Sequence, residues 1–205
     1  MQAASVTAQL TAAVHDRAAC LHAFTAYVHD PLAWRDDDRI NAVDAIVAAA
    51  SAWPKDAQLC GGACCALFHA SANATLAAVP VDAAVAIIRC HVGDAMVVAA
   101  ALRLLASHTT SSRIMEALPS TATAVAEAMR RHPRDDNVSY FGARIIIAYN
   151  SIDPSNIAME FGSFRLEDVK VASLTAAVSS RVLNFHVGEL TWQDHVADRL
   201  NPRFR

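Results

Sequence analysis

Three of the five cysteines in this 205-residue chain fall in one short stretch, Cys60, Cys64 and Cys65 in LCGGACCALFHA. Nucleophilic thiol chemistry needs a thiolate beside a basic group, and a zinc site needs four converging ligands. On a helix, Cys60 and Cys64 share one face and Cys65 shares a neighbouring face with His69. The spacing is CxxxCC with no second cysteine knuckle, so packing is the expected role, with no metal and no cofactor. The competing reading is a metal- or thiol-dependent enzyme using Cys60, Cys64, Cys65 and nearby histidines. Cys65 is the expected exposed thiol of the three. Nine histidines offer acid–base or ligand chemistry. His91, His132 and His186 each stand just before a stop signal, where an imidazole can bind the last carbonyls of its own helix. His15, His22 and His29 recur every seven residues, near one stripe if their helix is continuous. Gly61-Gly62 is not a phosphate loop, because no GxGxxG or GxxxxGK[ST] surrounds it. Asp36-Asp37-Asp38 could hold a hard cation but lacks the glycine and glutamate of an EF-hand, and reads as a solvated loop.

The elements that position these residues emerge from a repeat. Segments AIVAAASAWPKDAQLCGGACCALFHA (45–70), AAVAIIRCHVGDAMVVAAALRLLASH (83–108) and AVAEAMRRHPRDDNVSYFGARIIIAY (124–149) align on Pro54, Val92 and Pro133, which lie 38 and 41 residues apart. Two residues past each pivot stands an aspartate: Asp56, Asp94, Asp135. Five past is apolar (Leu59, Val97, Val138), thirteen past is large and aliphatic (Leu67, Leu105, Ile146), and four before is apolar (Ala50, Ile88, Met129). Each unit therefore reads as two helices. The first ends at Trp-Pro, His-Val-Gly or His-Pro, and the aspartate caps the second by accepting its unpaired N–H groups. Such a pair cannot bury its apolar face alone, whereas stacked pairs can. A weaker copy centres on Val187, with Glu189, Trp192 and Leu200 at the matching places, after an insertion at 151–164. Residues 7–29 are helical by composition without a fixed register, and 30–39 read as the connection into the first clear unit.

Bulk composition agrees. The chain is 54% hydrophobic and 18% charged, with six glycines and seven prolines spread at intervals, the profile of a helical rather than a disordered protein. A formal charge of −3, with no dense Lys/Arg run, points away from nucleic acid. Arg130, Arg131 and Arg134 are followed at once by Asp135 and Asp136 and read as a solvated turn. The longest apolar stretch, Ala95 to Ala106, is broken by Arg103, so no membrane span is expected. No secretory signal is visible, and five cysteines without framework spacing fit a reduced, intracellular, cytoplasmic setting.

The period near 40, the His/Trp-Pro turn, the Asp cap and the Ala/Leu-rich second helix resemble armadillo and HEAT-type repeats. The third unit, with Gly142 in its last helix, looks most like an armadillo unit. The resemblance implies an all-α, right-handed α-solenoid over one domain, 1–205. In it, 1–40 form N-terminal capping helices and connection, 41–150 three armadillo-like repeats, and 151–205 the insertion plus a degenerate repeat. It implies a non-catalytic scaffold, adaptor or structural subunit that binds a partner along a concave face built from each unit's last helix. The Trp–Asn ladder of nuclear-import adaptors is absent: the matching positions are Cys65 and His69, Arg103 and Ser107, Arg144 and Ala148. Those six are the candidate binding residues. Arg103 and Arg144, both eleven past a pivot, favour a protein or peptide partner that is acidic or phosphorylated. Positive mean hydropathy points to apolar surface covered by a partner, and self-association through an end of the stack is a second expectation.

Overall fold

The computed structural model describes residues 6–29, 36–71, 80–108 and 118–150. The described residues form eight helices and no strand: α1 Val6–Ala13, α2 Arg17–His29, α3 Asp36–Ala52, α4 Ala57–Ser71, α5 Val81–Cys90, α6 Ala95–Ser107, α7 Leu118–Arg131 and α8 Asp136–Asn150. The weak copy around Val187, and with it His186, lies outside the described residues. The chain divides into two compact units, one containing α1–α4 and the other α5–α8.

Each unit is a pair of stacked helical hairpins. In the first, α1 packs on α2 and α3 on α4, while α1 lies against α3 and α2 against α4. In the second, α5 packs on α6 and α7 on α8, with α5 against α7 and α6 against α8. First helices thus pack on first helices and second on second. This is the arrangement by which hairpins with one broad apolar face cover each other.

The repeat positions mark the cores. Thirteen past each pivot, Leu67, Leu105 and Ile146 are fully buried, and four before, Ala50, Ile88 and Met129 are buried too. Excluding a large aliphatic side chain from water contributes about 1.5–3 kcal/mol. The small residues at nine past each pivot, Ala63, Ala101 and Gly142, are buried as well. They let paired helices approach closely. At Gly142 a Cβ would lie 2.5 Å from the Met129 sulfur, so the long side chain four before the pivot occupies the space a larger residue would need. Gly62 on α4 faces α2 under less pressure: a Cβ there would lie 3.4 Å from the Phe24 ring, an ordinary contact distance.

The N-terminal hairpin proves to be a fourth copy in the same register. Its pivot is Val14, 40 residues before Pro54, with Asp16 two past it. Leu10, four before, and Tyr27, thirteen past, are fully buried. The break at Val14–Asp16 separates α1 from α2, so His15 sits in a turn and shares no continuous helix with His22 and His29. Asp36, Asp37 and Asp38, expected in a loop, instead open α3.

Candidate functional site

The four inter-helix turns are built alike. The backbone N–H of Asp16, Asp56, Asp94 and Asp135 donates to the carbonyl three residues back, of Ala13, Trp53, His91 and His132, at 2.7–3.1 Å. Each aspartate's own carbonyl accepts from the N–H four residues on, of Cys20, Cys60, Val98 and Ser139, at 2.9–3.0 Å. Each side chain then takes the free N–H groups of the new helix. Asp16 accepts from Ala19 at 3.1 Å, Asp56 from Leu59 at 3.0 Å, Asp94 from Met96 and Val97 at 3.0 and 3.3 Å, and Asp135 from Asn137 and Val138 at 3.0 and 2.9 Å. At three of the four turns this is the capping expected from the sequence. The fourth is the N-terminal copy.

Neighbouring turns are joined by side chains. Arg17 forms an ion pair with Asp56 through Nε, and its Nη2 donates to Asp56 Oδ1 at 3.3 Å and to Gln58 Oε1 at 2.8 Å. Burial pushes the Asp56 carboxyl up, but Arg17 and the Leu59 and Gln58 N–H groups outweigh it and hold the carboxyl below its ordinary range. Trp53 Nε1 donates to the Val14 carbonyl at 3.0 Å. His132 Nε2 lies 2.7 Å from the Val92 carbonyl oxygen. A carbonyl only accepts, so the imidazole carries its proton on Nε2. His132 was expected to cap its own helix; it reaches the turn of the preceding hairpin instead. His91, at the equivalent place, is buried.

The six candidate binding residues fall on second helices. Cys65 and His69 belong to α4 of the first unit, Arg103 and Ser107 to α6 and Arg144 and Ala148 to α8 of the second. Cys65, expected to be exposed, is 5% exposed. Sharing a position with two arginines did not make it a surface site, because α4 is buried from Leu59 through Leu67 without a break. His69 is half-buried, edge-on to Phe68 with ring centroids 5.3 Å apart. Ser107 is exposed, but its hydroxyl donates back to the Leu104 carbonyl at 2.7 Å. Ala148 brings no polar group. Arg103 is half-buried and Arg144 exposed. The Arg144 guanidinium sits 5.8 Å from the centroid of the Tyr140 ring, one helical turn back, within cation–π range. Tyr140 escaped the sequence reading, although its spacing of four from Arg144 is the signal that pairs them. Because α6 and α8 pack together, the second unit places two guanidinium-bearing positions on adjacent helices at the same distance from their turns.

The cysteines serve the interior. Cys20 and Cys60 are both six past a pivot, and their thiols face turn carbonyls: Cys20 Sγ is 3.1 Å from Ala13 O, and Cys60 Sγ is 3.6 Å from Trp53 O. Cys64 is fully buried, and burial, together with Cys65 and Cys60, pushes its thiol well above the ordinary range. Burial likewise raises Cys20, helped by Asp16. Thiols held in this way are poor nucleophiles at neutral pH. Among the described residues no disulfide joins any of the five cysteines, and Cys90 alone of them is exposed. His108 is buried, and burial lowers its pKa, favouring the neutral ring. No group of three or more His, Cys, Asp or Glu side chains among the described residues is arranged to hold a metal ion. No described helix is long and apolar enough to cross a membrane. Comparison with protein-family models, with curated proteins and with solved structures returns no match to this chain.

Proposed function

We propose that the chain is a non-catalytic interaction scaffold, a right-handed α-solenoid of armadillo/HEAT type that binds an acidic or phosphorylated protein segment across its second helices. The observation that carries this reading is the pair Arg103 and Arg144, set at equal distances from their turns on the packed helices α6 and α8. The Tyr140 ring beside Arg144 restricts the guanidinium and leaves its remaining N–H donors for a carboxylate or phosphate. The stacked-hairpin packing of both units and the four like turns support the repeat architecture. Five cysteines with no disulfide among the described residues suit a reducing compartment, and the proposed site of action is the cytoplasm.

The test is direct binding of fluorescent peptides carrying Glu/Asp or phosphoserine, against neutral and basic controls, read by anisotropy. Acidic peptides should bind more weakly as salt rises. Arg103→Glu and Arg144→Glu should each weaken binding by about tenfold or more, on the scale of a charge-assisted hydrogen bond, with the circular dichroism spectrum unchanged. Equal binding of neutral and acidic peptides, or variants that bind like the parent, sinks the proposal.

A further inference from the structure

The two ring donors occupy one place in two different hairpins. Trp53 and His132 each stand immediately before a pivot, at the end of a first helix. Their targets, Val14 and Val92, are themselves the pivots of the preceding hairpins. The sequence separations are 39 and 40 residues and the distances 3.0 and 2.7 Å. Within a helix nearly every carbonyl is taken by the N–H four residues on, whereas the turn carbonyl lies beyond the last helical residue and needs another partner. The Val14 and Val92 carbonyls are two such turn acceptors, and the ring N–H of the next hairpin meets each of them. Sliding one hairpin past the other by a helical turn, about 5.4 Å, would carry the ring N–H off the turn carbonyl that it meets here.

From this we infer that the ring N–H before the pivot is the register key of hairpin stacking: it selects which turn of the preceding hairpin the next one docks on. Tryptophan and histidine fill the place because each carries a ring N–H at the far end of a rigid side chain. Phenylalanine offers the ring without the donor. The key is chemically interchangeable between its two forms, which a simple packing role does not require, since the indole is much larger than the imidazole.

The experiment exchanges donors in the full chain. His132→Trp and Trp53→His keep a ring N–H, while His132→Phe and Trp53→Phe remove it. Amide hydrogen exchange reads opening of the turns that supply the acceptors, through Asp94 for His132 and Asp16 for Trp53. Each Phe variant should open its turn about fivefold more often, the factor that one net hydrogen bond represents, and each donor swap should restore at least half of that protection. In the parent protein, the imidazole ¹⁵N signals of His132 should show the Nε2–H form. Donor and Phe variants that protect equally would overturn the inference, as would a parent His132 protonated on Nδ1 alone. The tautomer measurement uses the unmodified chain, so it decides the matter even if a variant fails to fold.

Discussion

Removing the Asp56 carboxylate should destabilise the first unit more than the same change at Asp94 destabilises the second, by an amount the ion pair sets. Asp56 caps α4 through Leu59 and also meets Arg17 from the preceding turn. Loss of an N-cap costs about 1 kcal/mol. The ion pair adds less, because the Arg17 side chain is 43% exposed while Asp56 is 17% exposed. Pairs in such a setting contribute roughly 0.2–1 kcal/mol. Asp56→Ala should therefore cost about 1.5 kcal/mol and Asp94→Ala about 1 kcal/mol. Asp56→Asn keeps a capping oxygen and loses only the charge, so about 0.5 kcal/mol is expected. Urea unfolding followed by circular dichroism resolves these steps, and the double variant with Arg17→Ala should give a coupling near 0.5 kcal/mol. The pH dependence fixes the sign. The folded carboxyl lies below its ordinary range, so on acidification the unfolded chain binds the proton first. The advantage of Asp56 over Asn is full above about pH 4, the usual carboxylate value, and fades as pH falls below it. An Asp56→Ala cost no greater than that of Asp94→Ala, zero coupling to Arg17, or an Asp–Asn difference unchanged down to pH 2 would refute the reasoning.

Two further outcomes follow from packing. Gly142→Ala places a Cβ within 2.7 Å of both Met129 Cγ and Sδ; it should cost about 1–3 kcal/mol, and less in a Met129→Ala background. Gly62→Ala meets only Phe24 at 3.4 Å and gains helix propensity, so its midpoint should shift by less than about 1 kcal/mol either way. Alkylation under native conditions, read by mass spectrometry, should modify Cys90 first, while Cys20, Cys60, Cys64 and Cys65 react only as the fold opens; early labelling of Cys65 would contradict its burial.

The helical hairpins were legible because turns write themselves into sequence. Proline or glycine stops a helix, aspartate starts the next, and Asp56, Asp94 and Asp135 cap as their positions implied. The first hairpin escaped because Ala13 stands where the others have tryptophan or histidine and no proline or glycine marks its turn. What remained was Asp16 two past Val14, a signal too short to fix register alone. Cys65 was misjudged because repeat position specifies a helix face, while burial depends on what packs over that face, and α4 is covered more completely than α8. The links from Arg17 to Asp56, Trp53 to Val14 and His132 to Val92 span about 40 residues. No local spacing announces them; they appear only once hairpins are stacked.

The turn bonds also fix direction. In each unit the joined turns lie at one end, so the two second helices start side by side and run the same way. Their peptide dipoles are then parallel, and two partial positive charges of about half a unit each face one another at that end. Left bare, such an edge would repel itself and attract any passing anion. An aspartate at every turn places negative charge against that end, and its carboxylate takes up one or two of the N–H groups that each second helix leaves open. On the function proposed above, an acidic ligand in the second unit would be held away from the turns, at Arg103 and Arg144, nine residues past the capping aspartates.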